Sequence, residues 1–134
     1  MTATVTYDAN LRTTCLHLQS GSSFETDAPS DNKGQGARFS PTDLIATGLG
    51  ACLITTMGIK AESMDLKLDG AKVDVTKVMM SEPRRIGKIV IAVTMPALNL
   101  DEKTIEILER VGRTCPVERS LHPDMELDIR FTWL

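Results

Sequence analysis

Two cysteines sit in settings of opposite chemistry. Cys52 lies inside the uncharged run from Leu44 to Ile59, and Cys115 opens the segment Thr114-Cys115-Pro116-Val117-Glu118-Arg119-Ser120-Leu121-His122-Pro123. The thiolate is the reactive form of cysteine, and it needs positive surroundings. Pro116 disfavours helical geometry at Cys115, which makes Cys115 the expected N-cap of a following helix. There it faces free backbone N–H groups and the positive helix end, so its pKa is expected to fall. Cys52 has no such help. Burial alone raises a thiol pKa and leaves it inert. Cys52 reacts only if the fold brings a cation to it, and Arg12 and Arg38 are the candidates. If the two thiols meet, they form a redox pair. By default, a cysteine in an apolar helix is a small core residue, and Cys15 reads as a plain strand residue. His17 and His122 show no metal-ligand spacing with the cysteines, so no metal site is expected. Arg84 and Arg85 read as solvated turn charges.

The elements that must position these residues follow from periodicity. Thr2 to Tyr7 alternates, Asp8-Ala9-Asn10 reads as a turn, and Arg12 to Gln19 alternates again, giving an N-terminal hairpin. A third short strand falls around Phe24. Ala28 to Ser40 is rich in Pro, Ser, Asp, Asn and Gly and reads as a loop of about 13 residues, long enough to carry function. Ser40 is a good N-cap, Pro41 suits the first helical position, and Asp43 stands three residues after the cap. The helix they start is expected to reach about Ser63 and to be buried on all sides, since it is apolar nearly all round. Gly48, Gly50 and Gly58 cost about 1 kcal/mol each against Ala, which makes sense where another backbone packs closely. Leu66 to Met80 and Ile86 to Met95 read as strands joined at Glu82-Pro83-Arg84-Arg85, with a bulge near Thr76-Lys77. A helix over Glu102 to Val111 stops at Gly112, and a short helix starts at Pro116. A final strand places Met125, Leu127, Ile129, Phe131 and Trp133 on one face. The order β-β-β, long α, β-β, α, short α, β gives an α+β fold with mainly antiparallel sheets around a long buried helix. Such a helix is hard to bury within one small chain, so an intimate homodimer centred on it is expected.

The chain has 134 residues and reads as a single domain, 1–134. The formal charge of -3 is spread over interspersed acids and bases, and aromatic residues make up only 4%, so neither a nucleic-acid surface nor base stacking is expected. The N-terminus has no basic start followed by an apolar run and so reads as no signal peptide. Leu44 to Ile59 would span roughly 24 Å as a helix, short of the about 20 apolar residues of a membrane span. An odd number of cysteines without a secretion signal fits a reducing, cytoplasmic setting, where a disulfide is transient and catalytic.

These residues resemble the OsmC/Ohr family. The resemblance is carried by Ser40-Pro41-Thr42-Asp43-Leu44 followed by Gly50-Ala51-Cys52, by Cys115-Pro116-Val117 leading to Leu121-His122-Pro123, and by the terminal Phe131-Thr132-Trp133. The Glu82-Pro83-Arg84-Arg85 hairpin is similar too. The resemblance implies an intertwined homodimer with active sites at its interface and a thiol peroxidase that reduces organic hydroperoxides. Cys52 would be the peroxidatic thiol and Cys115 the resolving one, with an external dithiol such as a lipoyl group as reductant and no bound cofactor. Peroxidase members carry a Glu directly after the helix-start proline, paired with the Arg that activates the thiol. Here that position is Thr42. The neighbouring acid, Asp43, is turned by about 100° along the helix and suits the cap. Thr42 and Asp43 remain candidate supporting residues. Arg12 lies where the Ohr branch has its arginine, and Arg38 lies closer to the OsmC pattern. The alternative on the same scaffold is a dimeric protein that binds a small apolar ligand or senses redox state with little turnover. A dimer with inert buried cysteines is a third reading.

Overall fold

A computed structural model describes all of residues 1–134. The chain forms two compact units, Met1–Ile45 and Ala46–Leu134.

The first unit is a three-stranded antiparallel sheet in the order β1-β2-β3, formed by β1 (Ala3–Ala9), β2 (Arg12–His17) and β3 (Ser23–Asp27). Ala9, Asn10 and Leu11 all take positive φ in the tight β1–β2 connection. The register sets Val5 opposite Cys15 and Cys15 opposite Phe24, so these three share one face. Arg12 stands opposite Asp27 on the other face. The loop after β3 contains one turn of 3-10 helix, Ser30–Asn32. Every residue of β1 is exposed.

Helix α1 (Pro41–Glu62) starts in the first unit and continues into the second. Its start is a capping box. The Asp43 amide donates to Ser40 Oγ at 3.1 Å, and the Ser40 amide donates to Asp43 Oδ2 at 2.9 Å. Asp43 is thus the capping acid.

The second unit packs α1 against a sheet of order β4-β5-β6, with β4 (Lys72–Met80), β5 (Arg85–Met95) and β6 (Glu126–Trp133). β4 and β5 are antiparallel, but β6 runs parallel to β5, so this sheet is mixed. The parallel pairing arises because α2 (Glu102–Gly112) and α3 (Pro116–Ser120) carry the chain back before β6 begins. The expected strand from Leu66 starts only at Lys72, after a turn with Gly70 at φ +88°. The irregularity expected near Thr76 falls at Val78–Met79. Gly112 ends α2 as its last helical residue. A Cβ there would stand 2.8 Å from Met57 Sδ, so any larger residue would force the Met57 side chain to move.

Ala46, Leu49, Gly50, Leu53, Met57 and Ala61 form the buried stripe of α1. It meets Ile89, Ile91, Val93 and Met95 of β5 and Leu108 of α2 in one core. At Gly50 the helix backbone comes so near the sheet that a Cβ would lie 2.8 Å from Val75 Cγ2 and 3.2 Å from Val73 Cγ1. Outside this stripe α1 is partly open, with Ile45 48% and Ile59 67% exposed. The expectation of burial on all sides is therefore not met within one chain. By length and hydropathy α1 would also pass for a membrane span. Its packed stripe marks it instead as the core helix of this unit.

Arg113 lies 5.0 Å from the centre of the Phe131 ring, and Trp133 Nε1 donates to Glu109 Oε1 at 2.8 Å. These contacts fix the end of α2 on β6 and thereby place the Cys115 turn. Leu53 is fully buried at the centre of the core. Leu53→Ala is expected to cost about 2–5 kcal/mol, read as a lowered midpoint in urea denaturation.

Candidate functional site

Cys52 sits at the border of the buried stripe of α1, next to Leu53, and is half-buried. Thr56, one turn on, donates its hydroxyl to the Cys52 carbonyl at 2.7 Å, which places Thr56 Oγ1 4.0 Å from Cys52 Sγ. Sequence reading passed over Thr56, although its i+4 spacing from Cys52 was visible.

Cys115 is the N-cap of α3, as Pro116 predicted, and its sulfur accepts the Glu118 amide at 3.5 Å. The α2–α3 junction is closed by Arg119 Nε donating to the Thr114 carbonyl at 3.3 Å. Cys115 is 0% exposed, and its side chain interacts directly with Cys52. The two sulfurs, far apart in sequence, are therefore brought together, and both are free thiols.

The expected fall in the Cys115 pKa is overturned. Burial pushes this thiol up, and the neighbouring Cys52 adds to the rise. The Glu118 and Val117 amides act in the opposite direction but do not win. The cap was legible in the sequence. The desolvation was not, because it comes from the core closing over Cys115.

Neither candidate arginine is a bare cation. Arg12 binds Asp27 through two parallel bonds, Nε to Oδ1 at 2.7 Å and Nη2 to Oδ2 at 2.9 Å. Arg38 Nε reaches Glu25 Oε1 at 3.2 Å and its Nη1 donates to the Ala37 carbonyl. Thr42 Oγ1 lies 3.3 Å from Ser40 Oγ at the helix start. Cys15 is half-buried on β2, 3.8 Å from Thr13 Oγ1. His17 contacts Ser20, and His122 accepts from the Asp124 amide.

Fold and site together define an α+β protein with two facing reduced thiols. The chain belongs to the OsmC-like protein family, whose family model matches residues 34–130. A Psychrobacter arcticus crystal structure, provisionally described as an osmotic stress induced and detoxification response protein, is 45% identical. It covers 98% of this chain and 96% of its own, with a TM-score of 0.94. A Legionella pneumophila protein, described as an organic hydroperoxide resistance protein OsmC and predicted redox protein, shares the fold at 16% identity. The coverage is 97% of this chain and 94% of that one, with a TM-score of 0.72. The organic hydroperoxide resistance protein OhrB of Bacillus subtilis shares it at 18% identity, with 98% of each chain covered and a TM-score of 0.67. Among curated proteins no match is found.

The Arg12 guanidinium holds the Asp27 carboxyl below the usual carboxylate range, assisted by the Ala37 amide and opposed by burial. A carboxyl with a lowered folded pKa stabilises the native state above its unfolded pKa of about 3.9. That contribution is lost as pH falls through the folded value. Urea denaturation at successive pH values is expected to show wild type more stable than Asp27→Asn at pH 6. The difference should shrink steadily below about pH 4.

Proposed function

We propose that this protein is a thiol peroxidase that reduces organic hydroperoxides through a Cys52–Cys115 disulfide. The observation that carries this reading is the interaction of two free thiols of unequal access in one packed cluster, with Cys52 half-buried and Cys115 fully enclosed. Cys52 is the sulfur a substrate reaches. Its thiolate attacks one oxygen of the peroxide, the O–O bond breaks, and the alkoxide leaves and takes up a proton as the alcohol. Cys52 becomes a sulfenic acid. The Cys115 sulfur then displaces the hydroxyl, the S–S bond forms, and the Cys115 proton leaves with that oxygen as water. Cys115 attacks as the thiolate, so it must give up its proton in this step, and that proton ends on the departing oxygen. An external dithiol, for which a lipoyl group is a candidate, restores both thiols by exchange and is itself oxidised to a disulfide. No metal or bound cofactor enters this sequence. Arg12 and Arg38 are the candidate cations for the Cys52 thiolate, and Thr42 and Asp43 support the helix start. The proteins described as organic hydroperoxide resistance proteins among the structural neighbours support the same reading.

The working form we infer is a homodimer. Val5, Tyr7 and Phe24 are 66%, 64% and 50% exposed. Ile45 and Ile59 leave a second apolar area on α1. A second copy of the chain is the occupant that covers such faces in a soluble protein.

A second reading has its own support. A cleft of about 560 Å³ is lined by Ile54, Gly58, Leu66 and Leu68 together with the polar Thr55, Glu62, Lys67 and Asp69. This volume lies within the range of small-molecule sites. A dimer that binds an apolar ligand or senses redox state would show ligand-dependent thermal stabilisation and negligible turnover.

Cumene hydroperoxide is expected to convert the reduced protein to the Cys52–Cys115 disulfide, read as the loss of two hydrogens by mass spectrometry and reversed by dithiothreitol. Cys52→Ser should abolish turnover, and Cys115→Ser should leave Cys52 trapped as a sulfenic acid. A Cys52→Ser protein that still consumes the peroxide at the wild-type rate would falsify the peroxidase reading. In size-exclusion chromatography the wild type should elute as a dimer, and Ile59→Glu should shift it toward the monomer.

A further inference from the structure

Peroxide chemistry puts a negative charge on Cys52 Sγ, and α1 carries no charge of its own nearby. Its ionised side chains, Asp43, Lys60 and Glu62, stand eight or more positions away, about 12 Å or more along the axis. Two side chains meet the sulfur. One is Cys115, which enters the reaction as the second sulfur. The other is Thr56, with Oγ1 4.0 Å from Sγ. The ionisable groups on the elements packed against α1 are placed otherwise. Glu109 of α2 accepts from Trp133, Arg119 of α3 donates to the Thr114 carbonyl, Glu118 presents its amide to Cys115, and Lys77 of β4 lies opposite Ile89.

The Thr56 hydroxyl has a set direction. Its one hydrogen goes to the Cys52 carbonyl at 2.7 Å. In the resting protein the oxygen therefore offers Cys52 only lone pairs, and the thiol is the donor between them. Such back-bonding is common for threonine in helices and by default is purely local. Here the hydroxyl is free to leave it. Inside an α-helix the Cys52 carbonyl already accepts the Thr56 backbone N–H, so it keeps a donor when the hydroxyl turns away. A hydroxyl hydrogen rotates to suit its surroundings, and hydrogen bonds at reactive groups that are long at rest tighten when charge develops. Cys52 is half-buried, and a charge at the border of the core is costly without a donor.

We propose that Thr56 is the hydrogen-bond donor to the Cys52 thiolate, its O–H turning from the Cys52 carbonyl to Sγ as the thiol loses its proton. This deepens the peroxidase reading and rests on it for the consequence in turnover. No proton passes from Thr56. The thiol proton goes to solvent, and the hydroxyl keeps its own hydrogen while sharing it with the sulfur. Both residues stand one turn apart on α1, so the arrangement does not depend on which cation completes the site.

The test uses the full-length protein in a Cys15→Ser background, alkylated with iodoacetamide over a pH series. Modification of Cys52 is read by peptide mass spectrometry, and kcat/KM is measured in parallel with cumene hydroperoxide and dithiothreitol. Thr56→Val keeps the branched shape and loses the hydroxyl. It is expected to move the Cys52 profile upward by about one pH unit. At about pH 7 the roughly tenfold smaller thiolate fraction is partly offset by the greater nucleophilicity of a more basic thiolate, so kcat/KM should fall about threefold. Thr56→Ser keeps the hydroxyl and should retain the wild-type profile. Thr56→Ala, with the same expected shift, serves where the valine variant does not fold as judged by circular dichroism. The proposal is overturned if a folded Thr56→Val or Thr56→Ala keeps the wild-type profile, whatever its denaturation midpoint, since the bond is then only a helix back-bond. It is overturned equally if Thr56→Ser shifts the profile as far as they do. A wild type with no Cys52-dependent turnover sinks the peroxidase reading instead, while the alkylation profile still decides the role of Thr56.

Discussion

The packing of one stripe of α1 onto the β4-β5-β6 sheet is the constraint from which the site follows. Leu49, Leu53 and Met57 are fully buried, and Gly50 lets the helix backbone approach Val73 and Val75 closely. Once that stripe is fixed against the sheet, the rotation of the helix is fixed as well. Cys52 precedes Leu53 by one residue and is carried to the border of the core, reachable but partly covered. A helix rotated by one residue would bury the thiol completely or turn it away from Cys115, since each step is about 100°. Gly112 then seats α2 against Met57 and Leu53 on the same helix. The contacts of α2 with Phe131 and Trp133 bring the chain into the Cys115 turn.

The electrostatics divides the same way between local and non-local causes. Cys115 has the local features of an acidic thiol, an N-cap position and an amide donor. The fold reverses their effect by closing the core over the sulfur and by setting Cys52 against it. A buried thiol beside a more accessible one is shielded from solvent yet still meets the other cysteine. Asp27 shows the converse. Burial opposes its charge, yet two guanidinium bonds and one amide hold it ionised.

Much of the architecture was legible in the residues. Ser40, Pro41 and Asp43 spelled out a capping box that forms as written. Pro116 marked Cys115 as a cap, and the alternation of Leu127, Ile129, Phe131 and Trp133 marked the last strand. The direction of that strand was not legible. Alternation fixes which face a side chain takes, not whether the neighbour runs parallel, and β6 runs parallel to β5. The start of β4 was also misread, because Leu66 and Leu68 look like strand residues until the turn at Gly70 is seen. Asp27 escaped notice for a related reason. At the end of a short strand it looks like a turn residue, and only the register opposite Arg12 reveals a buried partner.

By itself the sequence determined the elements, their caps, the polar and apolar faces of the strands, and the identity of the two thiols. These depend on residues a few positions apart, where dihedral preference and periodicity act directly. Tertiary structure alone decided the contact between Cys52 and Cys115, the upward shift of Cys115, the pairing of Arg12 with Asp27, and the exposure of one side of α1. Each of these depends on desolvation or on a partner distant in sequence. Neither quantity exists until the helix stripe and the strand register have settled which atoms lose their water and which charges face each other.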